Sequence, residues 1–108
     1  MCIRDRTLST EENLIPNEYA LHQNFPNPFN PTTTIRYDLP NEEDVSIIIF
    51  DVTGRNIRSL INQNQSAGYH RIQWDAKNDL GEPVSAGMYI YILYAGDHRS
   101  VKKMVLLK

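Results

Sequence analysis

From Tyr19 onward, hydrophobic and polar positions alternate with a period of two. Alternation of this kind puts successive side chains on opposite faces of an extended strand. It runs through Thr33 to Asp38 and then through Val45, Ile47 and Ile49, which are interleaved with Ser46, Ile48 and Phe50. A return strand is predicted from Asn56 to Leu60. His70, Ile72 and Trp74 alternate on the next strand, Met88 to Ala95 forms a tyrosine-rich strand, and Ser100 to Leu107 forms the last. A short strand near Leu21 brings the number to seven. Breaks fall at Leu39-Pro40-Asn41-Glu42, Asp51-Val52-Thr53-Gly54, Ser66-Ala67-Gly68 and Gly96-Asp97-His98, with a long loop over Asp75 to Gly87. Turn signals at this spacing, with no helical stripe of useful length, predict an all-β chain: a seven-stranded Ig-like antiparallel β-sandwich. The inward phase predicts burial of Val45, Ile47, Ile49, Ile72, Trp74, Tyr89 and Tyr91. Asp51 suits the first position of a type I turn, and Gly54 the left-handed position that closes a bulged hairpin.

One segment breaks the pattern. Asn24-Phe25-Pro26-Asn27-Pro28-Phe29-Asn30-Pro31 carries three prolines in six residues, followed at once by the β-branched run Thr32-Thr33-Thr34-Ile35. Proline fixes φ and removes a backbone donor, so this segment can be neither a helix nor an inner strand. It predicts a stiff ribbon that holds two phenylalanines as it enters a sheet.

Composition narrows the function classes. The 108 residues suit one small domain, and at 41% hydrophobic and 22% charged they can bury a core. A formal charge of -2 offers no basic field for nucleic acid. The one cysteine, Cys2, excludes a disulfide framework within the chain. Met1-Cys2-Ile3-Arg4-Asp5-Arg6 matches the translation of a transposon-end adapter used in sequencing libraries, so residues 1–6 are expected to be non-native and the chain to be the end of a longer protein. The polar stretch 7–18 reads as a linker, leaving 19–108 as the domain.

Candidate chemistry is thin. His70 shares a face with Ile72 and Trp74 and reads as a core-edge residue, while His22 and His98 have no companions at metal-ligand spacing. The loop residues Asp75, Asn78, Asp79 and Gly81 lack the ligand alternation of an EF-hand and predict a turn held by Asp and Asn side chains. Ser66, Ser85 and Ser100 have no neighbouring His–acid pair for nucleophilic catalysis. No cofactor, metal or small-molecule substrate is implied. Ile48, Phe50, Ile90 and Ile92 make two strands apolar on both sides, which predicts either a second cover or an exposed partner surface.

Several segments in order carry a resemblance: the ribbon Pro26-Asn27-Pro28-Phe29-Asn30-Pro31; Val45 to Arg55; Ala67-Gly68-Tyr69-His70 with Trp74-Asp75; Val84-Ser85-Ala86-Gly87-Met88-Tyr89; and the basic-apolar ending Val101 to Lys108. Together they resemble the C-terminal sorting domains of the type IX secretion system of Bacteroidota. The resemblance implies a non-catalytic signal that sends a cargo protein through the periplasm and across the outer membrane, to be secreted or held at the cell surface. The implied partners are secretion-machinery proteins, a surface sorting protease and an upstream cargo domain. Recognition would fall on Pro26, Asn27, Pro28, Phe29, Asn30, Pro31, Gly87, Tyr89, Lys102, Lys103 and Lys108. Ala76 stands where that family usually carries glycine, which puts a positive φ there in doubt. The chain also resembles the Ig-like hook-capping modules of flagellar assembly. A structural Ig-like module of that kind, or a carbohydrate-binding accessory domain, is the alternative.

Overall fold

The computed structural model describes residues 15–107. The adapter-like start, most of the linker and Lys108 lie outside the described residues. Seven strands follow in order: β1 (Ala20–Leu21), β2 (Thr33–Leu39), β3 (Glu43–Asp51), β4 (Asn56–Gln65), β5 (Gly68–Trp74), β6 (Gly87–Ala95) and β7 (His98–Leu106). They form two antiparallel sheets, β1-β2-β5 and β4-β3-β6-β7, packed face to face.

The core follows the alternation. Ile35, Tyr37 and Leu39 from one sheet meet Val45, Ile47, Ile49, Tyr91, Leu93 and Met104 from the other, all essentially without solvent contact. Trp74 is fully buried, with Phe29 tilted against it and Tyr89 edge-on at ring distances of 5.7 and 5.5 Å. Of the seven residues expected inside, Ile72 alone is only half-buried, because β5 is the edge of its sheet.

Two departures have physical causes. The strand expected to stop at Leu60 continues to Gln65. Its pairing with β3 slips twice: Ile47 faces Ile61 but Ile48 faces Ser59, and Ile49 faces Arg58 but Phe50 faces Asn56. Leu60 and Ile57 are therefore bulge residues, and both pack against the core. Bulging erases the period of two that would have revealed the strand. The second departure is Ala76, whose φ is +63° despite its side chain. Its carbonyl accepts from Val84 N–H at 3.0 Å and its methyl is buried, so tertiary contacts hold it where glycine would sit more easily.

The 51–54 turn is as expected. Gly54 has φ +89° and donates to the Asp51 carbonyl at 3.0 Å. Asp51 Oδ1 accepts from Thr53 N–H, the Thr53 hydroxyl and Arg55 N–H at 2.9, 2.6 and 3.0 Å. The Thr53 hydroxyl first, and then the Arg55 amide, hold the Asp51 carboxyl below its ordinary range.

Candidate functional site

The proline ribbon runs along the free edge of β7. Phe29 N–H donates to the Val105 carbonyl at 3.0 Å, and Leu107 N–H donates to the Phe29 carbonyl at 2.8 Å, in a parallel bridge. Asn27 Oδ1 accepts from Val105 N–H at 3.0 Å, and the Gln23 amide donates to the Lys103 carbonyl at 2.6 Å. Side-chain amides thus bond the edge where prolines cannot. At the other side of the ribbon, Phe25 exchanges both backbone bonds with Thr34, at 3.0 and 2.9 Å.

A buried polar hub fixes the ribbon. Asn24, 2% exposed, donates from its Nδ2 to the Pro26 carbonyl at 3.1 Å and to Thr33 Oγ1 at 2.9 Å. Its backbone N–H donates to the Tyr91 hydroxyl at 2.7 Å, and that hydroxyl donates to the His22 carbonyl at 2.8 Å. Burial pushes the Tyr91 phenol up to about 12. Every polar group at the hub has a partner, which keeps its burial from being costly. Sequence reasoning missed Asn24, Gln23 and Tyr91 as members of this site. The one usable signal was an asparagine immediately before the Phe-Pro step.

The expected recognition residues are not alike in placement. Pro26, Asn27, Pro28, Asn30 and Pro31 are exposed. Phe29 and Tyr89 are buried at 1% and 6%, so their side chains serve the core and offer no surface to a partner. The Tyr89 hydroxyl donates to the Ser85 carbonyl at 2.5 Å. Burial, then the Asp51 charge, raises its pKa. Gly87 is exposed at the start of β6 with φ +147°. Lys102 pairs in register with inward-facing Tyr91 and is half-buried. Lys103 pairs with outward-facing Ile90 and is exposed. The two lysines therefore point to opposite faces of β7 and do not make one patch.

The outward face of the four-stranded sheet is apolar at its centre. Ile48 and Phe50 of β3 lie beside Ile92 and Ile90 of β6, and Val101 of β7 extends the row. The corresponding face of the other sheet carries Arg36, Tyr69, Arg71 and Gln73, all exposed. The exposed aromatics Phe25, Tyr69 and Tyr94 sit on the ribbon and on opposite sheets, so they form no coplanar row for a sugar.

A cleft of about 550 Å³ is lined by Asp51, Asn78, Asp79, Ser85 and Tyr89, among others. Several of its polar groups are engaged by the fold. Asn78 Oδ1 accepts from Leu80 and Glu82 N–H at 2.9 and 3.0 Å, and Asp79 Oδ1 accepts from Ser59 N–H at 3.0 Å. The Asp- and Asn-held turn expected there is present. His70 takes its core-edge place, stacked on Tyr37 at 5.3 Å with Nε2 2.8 Å from the Ser66 carbonyl. His22 Nε2 meets Asp38 Oδ2 at 2.9 Å. Ser100 Oγ lies 2.8 Å from His98 Nε2, on a ring that stacks against Tyr19 at 4.8 Å. No carboxylate bonds that imidazole among the described residues, so the pair lacks the acid that would complete a triad.

Comparison with known proteins places this geometry. Among curated proteins none matches. Among solved structures, dimeric latent PorU of Porphyromonas gingivalis superposes with a TM-score of 0.65 and 22% identity, over 85% of this chain and 10% of that one. PorZ, described as an essential surface component of the type IX secretion system of Porphyromonas gingivalis, gives a TM-score of 0.54 and 19% identity over 85% of this chain and 12% of its own. FlgD of Xanthomonas campestris, a protein of flagellar hook capping, gives 0.56 and 18% over 85% and 64%. At these identities the likeness is one of fold. The chain spans about a tenth of the length of PorU and PorZ. The FlgD Ig-like domain profile matches residues 29–97, from the buried ribbon phenylalanine to the last turn. The chain belongs to the FlgD Ig-like domain family, as a structural Ig-like module.

Proposed function

We propose that this module is a non-catalytic sorting signal for the type IX secretion system, carried by a cargo protein and read in its folded form. The observation that carries the reading is the seam between the proline ribbon and β7. The two segments that most resemble sorting domains, 26–31 and 101–108, are bonded to each other through Asn27, Phe29, Val105 and Leu107. They therefore present one composite surface: exposed Pro26, Asn27, Pro28, Asn30 and Pro31 beside the cationic edge strand. The PorU and PorZ likeness supports this setting, since the domain-sized stretch they share with this chain is a small part of each. Localisation outside the cell or at its surface, and contact with secretion proteins and a sorting protease, follow from the same reading.

Fusing residues 19–108 to a periplasmic reporter in a host with this secretion system should place the reporter outside the cell. A correctly folded fusion that stays in the periplasm would overturn the proposal. Because Lys102 and Lys103 face opposite ways, Lys102→Glu and Lys103→Glu should be assayed singly. The exposed Lys103 is expected to affect export more. The second reading, a packing module within a larger extracellular protein, is favoured by the family match over 29–97. It is the outcome if the fusion folds and is not exported.

A further inference from the structure

The outward face of the four-stranded sheet has no partner among the described residues, and its chemistry specifies one. Ile48, Phe50, Ile90 and Val101 retain solvent contact, and Ile92 at their centre is 9% exposed. Beside the 51–54 turn, Phe50, Ile90, Val52 and Ile92 line a shallow recess of about 370 Å³, large enough for an apolar anchor side chain. Residues 88 to 94 of β6 cover roughly 20 Å along the strand, and β3 to β7 roughly 10 Å across. The resulting area, on the order of 200 Å², is well below the roughly 800 Å² per partner of a stable dimer. It is the footprint of a single helix about 10–12 Å wide.

Charge sets the orientation. Lys103 pairs in register with Ile90, and Arg99 with Tyr94, so both cations border the apolar rows on the β7 side. Neither has an ion-pair partner among the described residues. The β4 side of the same rows carries Asn56, Ser59 and Asn62, which are neutral. Arg99 and Lys103 are four strand residues apart, roughly 13 Å, which about two helical turns would match.

We infer that this face is a docking surface for one amphipathic helix of a partner protein, with an apolar stripe and carboxylates along one flank only, two turns apart. The inference rests on the sorting reading for its biological setting and deepens it by naming the partner's chemistry. Its binding test stands apart from export.

The probe is a synthetic helical peptide with a leucine stripe and two glutamates on one flank, against the same peptide with lysines there. Binding of each to the full chain is measured by fluorescence anisotropy. The glutamate peptide should bind about tenfold more tightly, since two rim pairs change sign between the probes. Arg99→Glu with Lys103→Glu, both exposed, should reverse the preference without loss of fold. Ile90→Ser, checked for a folded circular dichroism spectrum, should weaken both peptides. Equal binding of the two peptides, or binding of neither, would overturn the inference. So would a preference for vesicles of anionic phospholipid over the glutamate peptide, or sedimentation as a dimer through this face. If the reporter fusion is exported but the peptides do not discriminate, the docking inference falls and sorting stands. If they discriminate and the fusion is retained, sorting falls and the docking face stands.

Discussion

The two flanks of the sandwich are closed by different means. At the β7 flank, another stretch of chain covers the edge: Phe29 supplies backbone bonds, Asn27 and Gln23 supply side-chain bonds, and Phe29 inserts its ring. Pro28 and Pro31 have no N–H, so the ribbon caps the sheet and offers a poor edge of its own to any further strand. At the β4/β5 flank, Ile57, Leu60, Ile61 and Ile72 remain half-buried. Protection there comes from Asp79, which takes the Ser59 amide and gives its own to the Ile57 carbonyl, and from Arg71 on the β5 edge. One flank is sealed by a second stretch of chain, the other is shielded by side chains. Substitutions should therefore cost far more on the sealed flank.

The largest expected effect is at Phe29. Phe29→Ala should lower unfolding free energy by about 3–5 kcal/mol, as for other buried aromatics. Phe25→Ala, four residues away on the same ribbon but 76% exposed, should stay within about 0.5 kcal/mol. Denaturant titration of both variants checks the contrast, and equal losses would mean the ribbon does not act as a seal.

Tyr91→Phe comes next. It strands the His22 carbonyl and the Asn24 amide in a buried place, at a cost of about 1–3 kcal/mol. The same phenol makes stability depend on alkali. Its folded value of about 12 lies above the ordinary 10.0, so its contribution is complete below pH 10 and is lost as pH rises through about 12. Unfolding followed from pH 9 to 12 should show a shallower alkaline decline in Tyr91→Phe. Some decline should persist, because burial also raises Tyr37 and Tyr89.

On the shielded flank, Ile61→Ala should cost about 1–2 kcal/mol, below the 2–5 typical of a fully buried isoleucine. A loss as large as that of Phe29→Ala would erase the distinction between the flanks. Gly54→Val, in the turn that leads into β4, should cost about 1 kcal/mol or more through strain at positive φ. The smallest effect is expected for Ala76→Gly, within about 0.5 kcal/mol, because relief at φ +63° offsets the lost methyl contact and the freer unfolded chain. Thermal melts order these three.

What could be read in the sequence was whatever is local. Alternation exposed β2, β3, β5, β6 and β7 because each strand keeps one face inward without interruption. The Asp51–Gly54 turn and the Asn78 loop were legible because their side chains bond backbone within four residues. β4 was cut short because bulges at Ile57 and Leu60 turn polar-phase positions inward. Ala76 looked unsuited to positive φ because propensity is local and the bond from Val84 is not. The seam was half visible: prolines announced a ribbon, but nothing near Phe29 says that its partner is Val105. That pairing also explains why Phe29, part of a motif that reads as a surface signal, lies inside; Tyr89 is inside as its strand phase predicts. A recurring pattern of residues can mark a packing constraint as readily as a contact with another molecule.

The seam has a further consequence in time. Asn27 and Val105 are 78 positions apart, and Asn24 and Tyr91 are 67 apart. Bringing such distant positions together carries the full entropy of closing a long loop, so contacts of this span form late and slow a fold that is already rich in non-local pairing. The bonds of the ribbon to β7 join the two ends of the domain, so they need the residues of β7 to be there to receive them. Its ordered state is thus tied to the end of β7: a chain cut before Val105 would take from Phe29 both backbone partners and from Asn27 its amide donor, while Asn24 would keep Pro26, Thr33 and Tyr91.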